Sequence, residues 1–187
     1  MVKAHPQQVK FLLEGGVGFC NAIRRTLAGH MSMWAPYELT IRVNSSCHAD
    51  ELIAHRIGMI PFKRIGNGDT MELRAHGPCI VSARDFVGPA FEAVYSDIVV
   101  VELVETQVVD LTIHFDRRDG NTHARYSPCA AVGMVASGEK HVIVFHTIDG
   151  RSELELMVCA LDDLEARVDR ALVALAHQPA EAPKSMC

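Results

Sequence analysis

The sequence predicts an α+β protein, on the basis of three features of its 187 residues. Short stretches rich in Val, Ile and Leu between residues 71 and 134 are separated by turn residues, a pattern typical of strands. Two segments in the first third of the chain have the apolar spacing of short helices. A heptad pattern near the end predicts one longer amphipathic helix.

The first third of the chain is predicted to alternate strands and helices. Residues 7–13 form a predicted strand, and residues 17–28 form a predicted helix that Gly29 ends. The apolar side chains that recur every four residues in this helix are Phe19, Ile23 and Leu27. Residues 37–43 alternate apolar and polar side chains, which predicts a half-buried strand, and residues 48–57 form a second predicted helix.

The middle of the chain is predicted to consist mainly of strands. Turn signals, such as His-Gly-Pro at residues 76–78 and Asp-Gly-Asn at residues 119–121, divide it into short pieces. The predicted strands cover residues 79–83, 98–105, 108–115, 130–135 and 141–148.

The last predicted element is a helix that begins at a capping box. Ser152 and Glu155 have the Ser-x-x-Glu spacing in which each side chain satisfies the other residue's free backbone amide. Beyond them a heptad seam is formed by Leu154, Leu161, Val168 and Leu175, with Met157, Leu164 and Ala171 three places on. Such a stripe has to be covered by a facing helix. The periodicity alone leaves open whether that helix belongs to the same chain or to another one.

The composition argues against several classes of function. The formal net charge is -5, whereas a protein that binds nucleic acid through its own surface usually has a basic excess. Direct nucleic-acid binding is therefore not expected. The longest apolar runs fall short of the ~18–20 residues that a membrane span needs, so no membrane association is expected.

The six cysteines show neither Cys-x-x-Cys spacing nor a Cys/His metal-ligand pattern. The first residues do not resemble a secretory signal. We therefore expect reduced thiols in an intracellular protein, with no metal and no cofactor.

Two segments carry a more specific pattern. Residues 19–27 read FCNAIRRTL, and residues 43–62 read VNSSCHADELIAHRIGMIPF. Together they resemble the alpha-type subunits of multisubunit DNA-dependent RNA polymerases, a family that includes the third-largest subunit of eukaryotic polymerase II, its archaeal counterpart and bacterial alpha. That family has an Asn-Ala-hydrophobic-Arg-Arg helix followed by a segment with Asp-Glu and Ile-Ala-His-Arg.

Two later segments extend the resemblance. Residues 119–128, DGNTHARYSP, are similar to the family's Gly-x-x-His-Ala-Lys-Trp-Ser-Pro turn, and residues 77–85, GPCIVSARD, are similar to its Gly-Pro…Val-x-Ala-x-Asp segment. The motifs occur in the family's order, so the resemblance covers most of residues 7–177.

The resemblance implies a discontinuous α/β dimerisation domain, residues 1–42 and 138–187, with an inserted β-rich domain, residues 43–137. It also implies a non-catalytic assembly subunit. Its partners would be a smaller alpha-like subunit, the second-largest polymerase subunit and small zinc-bearing subunits, in the nucleus, cytoplasm or virion.

The resemblance also assigns residues to two surfaces. The surface for the second-largest subunit would contain Asn21, Arg24, Arg25, Asp50, Glu51, His55 and Arg56. The dimer interface would contain Phe19, Ile23, Leu27, Leu154, Met157, Leu161, Leu164, Val168, Leu172 and Leu175. Arginine suits such a surface because its planar fork donates several hydrogen bonds and keeps its charge when desolvated. No residue is assigned to catalysis.

The sequence departs from the family in two respects. Many relatives have four clustered cysteines in the inserted domain, whereas residues 66–95 here contain Cys79 alone, so no metal is expected. The chain also ends soon after the last helix, without room for the DNA-binding C-terminal domain of bacterial alpha. This favours a eukaryotic, archaeal or viral type of subunit and a heterodimer over a homodimer.

Other interpretations remain open from the sequence. Arg24 and Arg25 could be solvated helix residues, and the cluster around His55 could make hydrogen bonds only within the fold. The chain could be a self-associating scaffold outside any polymerase. It could also be a small metal- or thiol-dependent enzyme that uses Cys79 or Cys129 with a nearby histidine.

Overall fold

The computed structural model describes residues 9–138 and 140–177, and it confirms the α+β class. The predicted tail from Gln178 and the first two residues of the predicted first strand lie outside the described residues. In chain order the strands are β1 Lys10–Glu14, β2 Ser32–Asn44, β3 Phe62–Arg64, β4 Thr70–His76, β5 Cys79–Ser82, β6 Phe91–Ala93, β7 Val99–Leu103, β8 Val108–Asp119, β9 Cys129–Ser137 and β10 Lys140–Thr147. The α-helices are α1 Val17–Arg25, α2 Asp50–Gly58 and α3 Glu153–Ala176.

One hydrophobic core is built from the two ends of the chain. Strands β1, β10 and β9 form an antiparallel sheet in that order, and α1 and α3 pack against it. The buried side chains of this terminal core are Ile23, Leu27, Met31, Cys129, Ile143, Phe145, Leu156, Met157 and Ala160. Phe11 of β1 stacks on Phe145 of β10, with ring centroids 5.6 Å apart.

A second core is built from the middle of the chain. The long strand β8 is the centre of a β2-β8-β4 sheet, and every second residue from Val109 to Phe115 is buried. Helix α2 and the short pairs β3-β6 and β5-β7 complete this middle core. Its centre is aromatic: Phe91 stacks on Phe115 at 3.9 Å between centroids, and Phe62 lies edge-on to Phe115.

A π-helical turn at Thr26–His30 joins α1 to β2. The prediction that Gly29 ends the first helix is therefore only approximately right, because Gly29 lies inside this wider turn. The reason is a close approach of another segment: a β-carbon on Gly29 would be 2.5 Å from Asn121 Oδ1. A side chain at this position would displace the Asn121 side chain, which lies 2.9 Å from His30 Nδ1.

The other predicted elements are present with small shifts at their ends. Strand β2 begins five residues before the predicted residue 37, and the capping box of α3 is confirmed. Strand β4 was not predicted, although its buried residues Met71 and Leu73 alternate with exposed polar ones. Its strand conformation comes from pairing with β8, which is a long-range contact.

Candidate assembly surface

Residues 119–128, which we call the third motif, form a junction with the second motif (residues 43–62) and with the turn that follows the first (residues 19–27). Arg125, in the third motif, donates from Nη1 to the carbonyl of Pro36 at 2.9 Å, and its guanidinium lies against Gly58 of the second motif. Asn121 donates its backbone N–H to the carbonyl of Gly29 at 2.9 Å, and its side chain is 2.9 Å from His30 Nδ1. The third motif therefore connects the π-helical turn after α1 with the end of α2.

Helix α1 presents the arginine pair at its C-terminal end. Arg24 is partly buried, and its Nε donates to Asn21 Oδ1 at 3.0 Å, whereas Arg25 is exposed. Adjacent helical residues point about 100° apart, which accounts for the difference. Within the described residues Arg24 has this one recorded hydrogen bond and Arg25 has none. Two cations at a helix C-terminus are favourable for the helix dipole, and both keep donors for a partner.

The loop before α2 is held by Asn44. Its amide nitrogen donates to the carbonyl of His48 at 2.9 Å and to Asp50 Oδ1 at 2.6 Å. Its amide oxygen accepts from the backbone N–H and the hydroxyl of Ser46 at 3.1 and 2.7 Å. Because all these partners lie within six residues, the Asn-Ser-Ser sequence fixes where α2 begins. Asp50, predicted to bind a partner, is thus also a local structural residue.

The remaining predicted residues of α2 divide into two groups. Arg56 donates from Nη1 to the carbonyl of Val100 at 2.7 Å and so attaches α2 to β7. Glu51 and His55 are exposed, and no ion pair joins them within the described part of the chain. A surface depression beside Glu51 is lined by His55, Arg56, Met59, Ile98 and Val99. Of the four predicted residues on α2, Glu51 and His55 are therefore the ones whose side chains are most available to another molecule.

Helix α3 has one covered face and one exposed face. The covered face contributes Leu156, Met157 and Ala160 to the terminal core. Further along, Arg167 forms an ion pair with Asp163 and donates to Thr26 Oγ1 at 3.2 Å, which attaches α3 to the π-helical turn. From Val168 to His177 every residue is exposed.

The exposed face of α3 is apolar, and its residues recur at alternating steps of four and three. It consists of Leu154, Val158, Leu161, Val168, Leu172 and Leu175, and Glu165 interrupts it once. Phe19 on α1 is also exposed, by 51%. We call these seven apolar side chains the apolar face. Burying one leucine completely stabilises a complex by about 1.5–3 kcal/mol, so this face favours association with another helix.

Three residues predicted for the dimer interface lie elsewhere. Ile23, Leu27 and Met157 are in the chain's own terminal core, with at most 4% of their surface exposed. Side chains buried to this degree cannot also contact a partner directly, so we leave them out of the interface. Heptad spacing could not make this distinction, because a helix that has one face on a core and another on a partner carries two apolar stripes. Leu164 is partly buried, at the border between them.

The two cysteines considered as nucleophiles lie in unfavourable surroundings. Cys129 is buried, and desolvation together with the nearby Asp149 carboxylate raises the pKa of its thiol to about 12. A nucleophilic cysteine needs the opposite shift, because the thiolate is the reactive form. Cys79 donates to the main-chain carbonyl of His76 at 3.3 Å, not to an imidazole.

The described part of the chain contains no group of three or more His, Cys, Asp or Glu side chains placed to hold a metal ion. None of its helices has both the length and the apolar character needed to cross a bilayer.

Arg125 and Asn121 are the junction residues that the sequence-based site missed. Both lie in the third motif, whose likeness to the polymerase family was the available signal. Arg125 has a local partner, His123 Nδ1 at 3.3 Å from its Nε, but the contacts that form the junction are with residues far away in the sequence. Arg125 reaches β2 and α2, and Asn121 reaches the π-helical turn.

Comparison with known proteins yields subunits of DNA-directed RNA polymerases. The subunit Rpo3 of DNA-directed RNA polymerase from Methanocaldococcus jannaschii is 32% identical over 126 residues, which cover 65% of this chain and 66% of the relative. Rpo3 from Pyrococcus horikoshii is 33% identical over 143 residues, 68% of this chain and 55% of the relative. The subunit RPAC1 of DNA-directed RNA polymerases I and III from Bos taurus is 24% identical over 185 residues, 74% of this chain and 53% of the relative.

The matched region covers only part of each relative. The chain spans between about half and two thirds of the length of the curated relatives that it matches, from 52% to 66% for the first three. No protein-family model matches the sequence.

Proposed function

Because the chain is homologous to the alpha-like subunits of DNA-directed RNA polymerases, we propose that it is an assembly subunit of such a polymerase. It does not carry out catalysis itself and works inside the cell or the virion. Its partners are a smaller alpha-like subunit, the second-largest subunit and small zinc-bearing subunits. The single observation that carries this proposal is the apolar face of α3, which nothing in the described chain covers.

The apolar face is the proposed site for the smaller alpha-like subunit. The end of α3 after Arg167 is exposed on all sides, and a helix derives most of its stability from packing rather than from propensity. A second amphipathic helix laid along Leu161, Val168 and Leu172 would stabilise it. The spacing of four and three residues is that of helices that pack nearly parallel.

The arginine pair is the proposed site for the second-largest subunit. Asn21 fixes the direction of the Arg24 side chain, so less side-chain entropy is lost when a partner binds. Glu51 and His55 on α2 extend this surface, while Asp50 and Arg56 hold α2 in place. The junction made by the third motif supports the idea that α1 and α2 act as one platform.

The two cores support a discontinuous dimerisation domain with an insert, and they refine its proposed borders. Trp34, Leu39 and Ile41 of β2 pack on the middle core, whereas β9 contributes Cys129 to the terminal core; Met33 and Ala35 of β2 pack on Tyr126. We therefore place the start of the inserted domain at β2 and its end before β9. The dimerisation domain then contains β1, α1, β9, β10 and α3.

Association of two copies of this chain is the second candidate, and the same apolar face favours it. A scaffold outside a polymerase would bury Leu161, Val168 and Leu172 against their counterparts in the other copy. Mass measurement of the purified chain, alone and with the smaller alpha-like subunit of its source, separates the two. A heterodimer that replaces any homodimer supports the polymerase role, and a homodimer that excludes the second protein contradicts it.

The proposal is tested by purifying the tagged chain from its native source and identifying the bound proteins by mass. We expect polymerase subunits. Arg24→Ala with Arg25→Ala should release the second-largest subunit but keep the smaller one, whereas Leu161→Asp with Leu172→Asp should release both. Arg84→Ala, at another exposed arginine, is the control. Unchanged co-purification by both double variants would contradict the proposed surfaces.

A further inference from the structure

A cavity of about 240 Å³ lies where β2, β3, the end of β8 and the turn before α3 meet. Two aromatic side chains, Trp34 and Phe62, form part of its wall. This cavity is separate from the apolar face and from the arginine pair, and neither the sequence motifs nor the proposed polymerase role assigns it a ligand.

The lining of the cavity is basic, although the chain as a whole is acidic. Four of the lining residues are cationic, Lys63, Arg64, Arg117 and Arg151, and one, Asp149, is anionic. The formal charge of the lining is therefore +3, against -5 for the whole chain. Such a local excess of one sign attracts groups of the opposite charge.

The one acidic residue in the lining, Asp149, forms an ion pair with one of the basic residues, Arg151. Asp149 accepts from Arg151 Nε at 2.6 Å and from its backbone N–H at 3.1 Å, and the carboxylate is almost fully buried. The charges of Asp149 and Arg151 therefore cancel each other. Lys63 is partly offset by Glu155, whose pKa it helps to lower. The excess charge of the cavity therefore rests mainly on Arg64 and Arg117.

Neutral partners hold both of these guanidinium groups. Arg64 lies over the Trp34 ring at 4.2 Å from its centroid, and its Nε donates to the carbonyl of Gly66 at 3.1 Å. Arg117 donates from Nε to Ser32 Oγ at 3.0 Å. Neither arginine forms an ion pair with the described residues. Two positioned guanidinium groups without a counter-charge are suited to a planar oxyanion, which such forks bind through paired hydrogen bonds.

We propose that this cavity binds a carboxylate of an acidic polypeptide segment supplied by a partner. Its volume is below the ~300–1,000 Å³ of sites that take up small organic ligands, and it suits one acidic side chain with its backbone. Nucleic acid fits less well, because binding a phosphate backbone requires a basic track along the surface. Here the lining of a single cavity carries a local basic excess on a protein that is acidic as a whole.

The chain contains a single tryptophan, Trp34, and its place in the cavity wall makes its fluorescence a direct probe. The full chain would be titrated with hexaglutamate, with hexaglutamine as the uncharged matched peptide. We expect a saturable change with hexaglutamate that weakens as sodium chloride is added, and no change with hexaglutamine. Inorganic phosphate and a thymidine oligonucleotide are the two other titrants.

Arg117→Gln should weaken hexaglutamate binding at least tenfold, because it removes one guanidinium without touching Trp34 stacking. Arg84→Gln, at an exposed arginine outside the cavity, should leave the affinity unchanged, and circular dichroism checks that both variants fold. Equal affinity of Arg117→Gln and the parent chain would overturn the proposal. So would binding of phosphate or the oligonucleotide at least as tight as that of hexaglutamate. None of these results bears on co-purification with polymerase subunits, which tests different residues.

Discussion

The guanidinium of Arg125 lies so close to Gly58 that a β-carbon on residue 58 would be 3.0 Å from Nη1. The same nitrogen donates to the carbonyl of Pro36 at 2.9 Å. One side chain of the third motif therefore touches both the strand β2 and the last residue of α2. A short side chain at 125 could not reach either one.

Arg125→Ala should lower the free energy of unfolding by about 1–3 kcal/mol, because the buried Pro36 would lose the charged donor to its carbonyl. Urea denaturation followed by circular dichroism measures the change. Arg84→Ala removes an arginine that is exposed and should change stability by no more than about 0.5 kcal/mol. Equal effects of the two substitutions on the free energy of unfolding would mean that the Arg125 contacts do not stabilise the fold.

Gly77→Ala should destabilise the middle core strongly. A β-carbon at residue 77 would lie 2.0 Å from the carbonyl oxygen of Val104, a backbone atom that cannot rotate away. We expect a loss of about 2 kcal/mol or more, at the upper part of the range for overpacking. Gly18→Ala is the matched control, since nothing lies within 4 Å of its β-carbon. Inside α1 it should stabilise the protein by about 0.5–1 kcal/mol, and a loss similar to that of Gly77→Ala would contradict the clash with Val104.

The capping box of α3 should make part of the stability depend on pH. Glu155 Oε2 accepts from the backbone N–H of Ser152 at 2.8 Å and from its hydroxyl at 2.9 Å, and these hydrogen bonds lower the pKa of Glu155. A carboxyl whose pKa is lower in the folded state stabilises the fold above its ordinary pKa, about 4.3. That contribution is lost as the pH falls through the lowered value.

Glu155→Gln tests this effect, because glutamine keeps the acceptor oxygen but not the charge. The parent chain should be more stable than the variant at pH 7, and the difference should shrink as the pH falls below about 4. Thermal unfolding from pH 3 to 7 measures it. The same series for Glu102→Gln, an exposed glutamate on β7, is the control. A difference that stays constant with pH would refute the role of the charge.

The cysteines should differ sharply in alkylation by iodoacetamide. Cys47 is exposed, whereas Cys20 and Cys129 are buried and the pKa of Cys129 is raised to about 12. At pH 8 we expect Cys47 to react in the native protein, and Cys20 and Cys129 only after unfolding, because the reagent attacks an accessible thiolate. Peptide mapping by mass spectrometry reads out each site. Rapid alkylation of Cys129 in the native protein would contradict its low reactivity and would support the alternative that the chain is a thiol-dependent enzyme.

The elements that sequence predicted well are those specified by nearby residues. The capping box at Ser152 and Glu155 and the start of α2 at Asp50, which Asn44 holds, rest on hydrogen bonds that span six residues or fewer. Strand β4 was not predicted, and its pairing with β8, more than thirty residues further along the chain, appears only in the structure. The arginine pair was found from the motif, but Arg125 was not recognised as the residue that links β2 to α2.

The sequence by itself determined the α+β class, the positions of the three α-helices and the polymerase-like motifs, since each depends on local periodicity or on a short pattern of side chains. Only the tertiary structure decided which stripe of α3 the chain covers itself, which left Leu161, Val168 and Leu172 exposed and placed Met157 inside. It also decided that Arg64 and Arg117 share a cavity. Burial and long-range charge depend on how the strands pair and stack, and a linear pattern does not contain that information.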